Sequence, residues 1–135
     1  MKIEKEIEKE IDLKEIESLF ITAIEGGINY WAMFDQEEID LVRELYETSN
    51  MAMSEKMFDY LTTRPDDFLK LYDVEDDDEE PEVLGKISFK SMQDGLVLMA
   101  KEQNDHFNDF MNEQYDATTA DVWFQLSVMQ QIVYG

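Results

Sequence analysis

The sequence has no cysteine, a single histidine and only two prolines in 135 residues. Without cysteine there is no disulfide framework, no thiolate metal site and no cysteine nucleophile, a usage that suits a reducing compartment. One histidine, His106, cannot supply the several imidazoles common in firm transition-metal centres, and it would have to serve as base for every serine. Glycine is scarce too, at five residues, and neither a G-x-G-x-x-G or Walker loop nor a G-x-S-x-G elbow occurs. No run approaches the roughly 18 apolar residues of a membrane span. The first 25 residues carry eight acids, unlike a secretory signal. Cations are the scarcest class relative to their counterpart: 11 Lys+Arg stand against 33 Asp+Glu, a formal net charge of −22. Direct contact with a nucleic-acid backbone or an anionic membrane would meet repulsion instead of releasing counterions.

What is present is a core. Hydrophobic residues make up 44% of the chain, with 8 Phe, 6 Tyr and 2 Trp, too many for a disordered acidic tail. The length favours one domain over residues 1–135, with neither an internal repeat nor a Gly/Ser linker to divide it. Acid is unevenly spread. Residues 73–82 hold eight carboxylates interrupted only by Val74 and Pro81, which reads as a solvated, self-repelling loop. Residues 102–135 contain no Lys or Arg, yet their apolar periodicity marks them as structured.

Ile3, Ile7 and Ile11 fit either a helical stripe or one face of a strand, and a strand is the favoured reading of residues 2–11. Asp12 and Glu15 form a capping-box pattern that opens a helix with Leu13, Ile16, Leu19, Phe20, Ala23 and Ile24 on its apolar face. Gly26-Gly27 ends it, with at least one glycine expected at φ > 0, and turns Tyr30 and Trp31 towards the core. A second helix is marked by Ile39, Val42, Leu45 and Tyr46, and a third by Met53, Met57, Phe58 and Leu61, stopping before Pro65. Residues 69–74 and 84–89 read as strands of a hairpin around the acidic loop. Ser91 and Asp94 then cap a long helix with Met92, Leu96, Met99, Gln103, Phe107 and Phe110 inward and Gly95 as a weak point. Thr118 or Thr119 caps a last helix, in which Val122, Leu126, Met129 and Val133 face inward. The expected fold is a predominantly helical α+β single domain with a small antiparallel sheet.

Candidate sites are few. Asp105, His106 and Asp109 place two carboxylates and an imidazole on one stretch of helix, but no second ligand cluster of suitable spacing accompanies them. The bland alternative is a solvated acidic face, so no metal and no cofactor is expected. The loop at 73–82 lacks the alternating acids, central glycine and closing glutamate of a calcium loop. Tyr30 and Trp31 are core anchors or a stacking surface, the former being the commoner use. Met51, Met53 and Met57, near Phe58, read first as gap-filling core residues. Paired carboxylates could carry acid–base chemistry without histidine, although 33 of them make some pairing inevitable.

Residues 19–31, containing Thr22-Ala23-Ile24-Glu25-Gly26-Gly27-Ile28-Asn29-Tyr30-Trp31, resemble the "TALEGGINYW" motif of small proteins encoded by tailed bacteriophages and prophages. Asp116 to Gln125 matches the family's "D-x-x-x-A-D-x-x-x-Q", and Val133-Tyr134-Gly135 its "V-[YF]-G". The match covers about a third of the chain, and the acidic run stands where the family has a better developed hairpin. The resemblance implies a phage origin and a host-cytoplasmic location. It brings no catalytic residue and no assigned reaction.

That context gives the charge a use. A compact chain of this size has a radius of gyration near ~14 Å and a diameter of roughly 37 Å, a length over which DNA carries about 22 phosphate charges. The leading expectation is therefore a non-enzymatic inhibitor that presents a DNA-mimicking surface to the basic channel of a host nucleic-acid-binding defence protein, of restriction or CRISPR type. Glu102, Asp105, Asp109, Glu113 and Asp116 would be its ordered, helix-borne part, and Asp76, Asp77, Asp78, Glu79 and Glu80 its flexible part. The alternatives are a phage assembly or replication adaptor made soluble by its acids, or a carboxylate-based enzyme. Direct nucleic-acid or membrane binding is not expected, and homo-oligomerisation is left open.

Overall fold

The computed structural model describes residues 2–3 and 9–135, with side-chain surroundings from Ile11 onwards. Two short strands, β1 (Lys2–Ile3) and β2 (Lys9–Glu10), pair antiparallel with Lys2 opposite Glu10. The stretch read as one strand is thus two short ones, and Ile7 lies outside the described residues. Helix α1 (Leu13–Thr22) begins where the sequence places it, with the Asp12 N–H donating to Glu15 Oε2 at 3.3 Å. It runs into a wider π-helical turn, Ala23–Gly27. Strand β3 (Ala32–Phe34), helix α2 (Gln36–Leu45) and helix α3 (Met53–Thr63) follow. Strands β4 (Leu69–Asp73) and β5 (Gly85–Ile87) form the expected hairpin around the acidic loop, and β3 adds to β4 to make an antiparallel sheet of order β3-β4-β5. The chain closes with α4 (Phe89–Glu102), α5 (Asn104–Met111) and α6 (Ala117–Met129). Among the described residues, six helices around a small antiparallel sheet confirm the helical α+β class.

One continuous core joins these elements, and α6 runs through it. Thr119, Ala120, Asp121, Trp123, Phe124, Gln125, Leu126, Ser127 and Val128 are all buried, on every side of this helix. The expected amphipathic stripe is therefore a misreading. Val122 and Met129 are only partly covered, and Val133 lies beyond the helix and is 54% exposed. A helix enclosed by neighbours has no solvent face to set a period. Gly85 and Gly95 let those neighbours close in. A Cβ on Gly95 would lie 2.1 Å from Ser127 Oγ, and one on Gly85 would lie 2.2 Å from the Val128 carbonyl oxygen. Gly95 is the contact point of α4 with α6 and not a weakness of α4.

Three further expectations change. The cap of α4 is Ser88, whose hydroxyl accepts from the Ser91 N–H at 3.1 Å while Ser91 Oγ accepts from the Ser88 N–H at 2.8 Å. Ser91 thus completes a reciprocal box, and Asp94 pairs with Lys90 instead. The long helix is broken at Gln103 (φ −133°, ψ 58°). The break starts α5 in a new direction with both Phe107 and Phe110 buried. The cap of α6 is Asp116, whose Oδ1 accepts from the Thr118 and Thr119 N–H groups at 3.0 and 3.1 Å. An ionised carboxylate at a helix N-terminus satisfies orphan donors and meets the positive end of the dipole.

Neither glycine of Gly26-Gly27 has a positive φ. Gly27 is needed for space: a Cβ there would stand 2.9 Å from the Ala117 carbonyl oxygen at the start of α6. The turn buries Trp31 to 1% exposure but leaves Tyr30 55% exposed, so only one of the two aromatics is a core anchor.

Candidate functional site

The acidic candidates fall into two regions that the fold treats differently. Glu102 is the last residue of α4, Asp105 and Asp109 lie one turn apart on α5, Glu113 occupies the following turn at φ 57°, and Asp116 caps α6. All five are exposed. They are carried by the last residue of α4, by α5, by a turn and by the cap of α6, so within the set only Asp105 and Asp109 share a helix at the expected i,i+4 step. Asp116 is in addition committed to the backbone of α6. The segment supplies no cation of its own, because Lys101 is the last Lys or Arg in the sequence. Carboxylates held on short, well-packed helices form a negative corner with little ordering entropy to lose on binding.

In the β4–β5 loop, Asp77, Asp78, Glu79 and Glu80 are exposed. Asp76 is not part of a loose tether. Its Oδ1 accepts from the Asp78 N–H at 3.3 Å and its Oδ2 from the Glu82 N–H at 3.1 Å, folding the loop around itself. Asp73 does the same one step earlier, accepting from the Glu75 N–H at 2.8 Å. That bond, followed by one from the Tyr134 hydroxyl, holds the Asp73 carboxyl below the usual carboxylate range. Asx turns of this kind order backbone locally without burying charge.

His106 is half-buried, its Nδ1 lying 2.9 Å from Thr119 Oγ1 across the α5–α6 packing. Among the described residues no group of three His, Asp or Glu side chains converges in a geometry suited to a metal ion.

The densest polar cluster lies elsewhere, and composition and spacing gave no sign of it. Asp121, on the buried side of α6, accepts from the Tyr30 hydroxyl at 2.5 Å, from Trp31 Nε1 at 2.8 Å and from Gln125 Nε2 at 3.0 Å. Gln125, fully buried, accepts at Oε1 from the Val133 and Tyr134 N–H groups at 2.8 and 2.9 Å, and its Nε2 also reaches the Tyr134 carbonyl at 3.1 Å. The Tyr134 ring stacks on Trp31, with centroids 4.8 Å apart and planes 12° from parallel, and its hydroxyl donates to Asp73 Oδ2 at 2.7 Å. Burial of the hydroxyl ends, reinforced by the carboxylate partners, pushes the Tyr30 and Tyr134 phenols up to about 12. Two stretches far apart in the sequence therefore meet: Gly27, Tyr30 and Trp31 from one, Asp121, Gln125 and Tyr134 from the other. Their donors and acceptors are used on one another, which makes this a clasp for the fold. Beside it runs an open cleft lined by Gly26, Tyr30, Thr118, Val122 and Ile132.

Comparison of the chain with family models, curated proteins and solved structures gives no match in any of the three. Among the described residues, no helix is long and apolar enough to cross a membrane.

Proposed function

We propose that this protein is a non-enzymatic binder that inserts its acidic corner into the basic nucleic-acid channel of a host protein. The observation that carries the reading is the exposure of Glu102, Asp105, Asp109 and Glu113 on the end of α4, on α5 and on the turn after it, within a segment that has no Lys or Arg. Such a surface attracts a cationic channel, speeds encounter and excludes the phosphate backbone that the channel would otherwise hold. The resemblance to phage and prophage proteins points to a defence nuclease of restriction or CRISPR type as the partner, met in the host cytoplasm. The exposed loop acids Asp77, Asp78, Glu79 and Glu80 extend the negative surface at a second place.

The test is a four-site variant, Glu102→Gln, Asp105→Asn, Asp109→Asn and Glu113→Gln, which spares the cap Asp116. A partner captured from host lysate is expected to bind the wild type in competition with DNA or RNA, to lose affinity steeply as salt rises, and to bind the folded variant at least tenfold more weakly. Undiminished binding by the variant, or a ternary complex that retains nucleic acid, overturns the reading in favour of an adaptor whose acids serve solubility.

A further inference from the structure

The segment 130–135 lies against the body of the protein as a peptide lies in a receptor. It leaves α6 at Gln130, a non-glycine residue in the left-handed region (φ 59°), and has no helical or strand structure of its own. Gln131, Ile132 and Val133 are exposed. Two features hold it: the buried Gln125 amide, which grips the backbone of Val133 and Tyr134 through both its ends, and the Tyr134 side chain, stacked on Trp31 and bonded to Asp73. Recognition of a backbone by a fixed amide, with one pocketed side chain setting the register, is the chemistry by which folded domains read extended peptides.

The rest of the site belongs to the rigid frame. Trp31 and Gln125 are held from the frame side as well, because Asp121 accepts from Trp31 Nε1 and Gln125 Nε2. If the strap lifts, Gln125 Oε1 loses both of its backbone donors and Trp31 loses its stacking partner. The frame then presents the Gln125 amide oxygen without protein donors beside a bare aromatic face, and a segment offering backbone N–H groups and an aromatic ring restores both contacts. The strap itself gives up the freedom of six residues for two points of attachment.

We infer that Trp31, Asp73 and Gln125 form a binding site for an extended peptide segment with a tyrosine following a β-branched residue, closed in cis by residues 130–135. The occupant in trans is a partner segment of that chemistry. It displaces the strap by making the same backbone bonds to Gln125 and the same stack on Trp31. This site is separate from the acidic corner and does not depend on the reading proposed for it.

Two measurements test it. In the wild type, native-state hydrogen exchange should show the Val133 and Tyr134 amides opening locally, with protection at least 100-fold below that of Leu126 in the middle of α6 and insensitive to low denaturant. Exchange of those amides only with global unfolding overturns the inference. In the full-length Tyr134→Ala variant, an amidated Gln-Ile-Val-Tyr-Gly peptide should shift the Trp31 indole N–H and Gln125 side-chain amide resonances saturably towards their wild-type positions. The same peptide with alanine for tyrosine should bind at least tenfold more weakly, as should the tyrosine peptide to the wild type. A folded variant whose Trp31 and Gln125 resonances ignore the peptide, or equal binding to wild type and variant, also overturns it. If Tyr134→Ala does not fold, the strap is integral to the fold and the inference fails on that ground.

Discussion

Among single residues, Asp121 ties distant parts of the chain together. One carboxylate receives three side-chain donors, two of them from residues about 90 positions earlier in the chain. Asp121→Ala leaves the Trp31 indole N–H buried without a partner, and removing an acceptor of charge-assisted bonds costs about 2–4 kcal/mol. Urea denaturation should show that loss, whereas Asp77→Asn on the exposed loop should change stability by less than about 0.5 kcal/mol. Alkaline pH tests the same cluster. Tyr30 and Tyr134 keep their protons in the folded state up to about 12, while an unfolded tyrosine ionises near ~10. The folded state therefore binds more protons between those values, so their contribution is complete below pH ~10 and falls away as pH rises towards ~12. Thermal unfolding followed from pH 9 to pH 12 should show a steeper loss for the wild type than for a Tyr30→Phe, Tyr134→Phe variant.

The elements show where local chemistry decides and where it does not. Gly95→Ala adds helix propensity to α4, worth about 1 kcal/mol, yet places a methyl 2.1 Å from Ser127 Oγ and 3.0 Å from Ser127 Cα. Overpacking outweighs propensity there, so the variant should be less stable by about 1–3 kcal/mol. Gly26→Ala is the control: its Cβ meets nothing within 4 Å and its φ is not positive, so stability should hold or rise by up to about 1 kcal/mol. Calorimetry of both variants decides the comparison. The same contrast explains what could be read from the sequence. The start of α1, the end of α3, the hairpin and the exposed loop were legible because caps, prolines and charge runs act over a few residues. Gly95 read as a defect because a helix contact is invisible from one helix alone. Helix α6 read as a surface helix because four apolar residues happened to recur at suitable steps. The clasp of Trp31, Asp121, Gln125 and Tyr134 was present as motifs, but its pairings span most of the chain, and neither period nor composition brings such residues together.

For the molecule as a whole, the charge of −22 acts on folding as well as on partners. Like charges within a protein of this diameter lie within one to a few Debye lengths of one another at low salt. Raising sodium chloride from 10 to 200 mM should therefore raise the midpoint of thermal unfolding by screening self-repulsion. A basic protein of similar size that binds the acidic corner should give a comparable rise at low salt, through linkage to the folded state.

Helix α6 is both the axis of the core and the last helix along the chain. Synthesis at about 5–20 residues per second delivers it some 5–20 s after α1 has been made. Until α6 is made, Phe20 and Trp31 lack Phe124, Met92 lacks Trp123, and β5 lacks the layer that α6 lays over it. A nascent chain in that state is a cluster of apolar segments, kept apart by the many acids distributed among them. A fragment ending at Asp116 should therefore show neither cooperative melting nor dispersed amide resonances. Like charges spread along the chain should also keep such an unfinished protein apart from its neighbours on the same message.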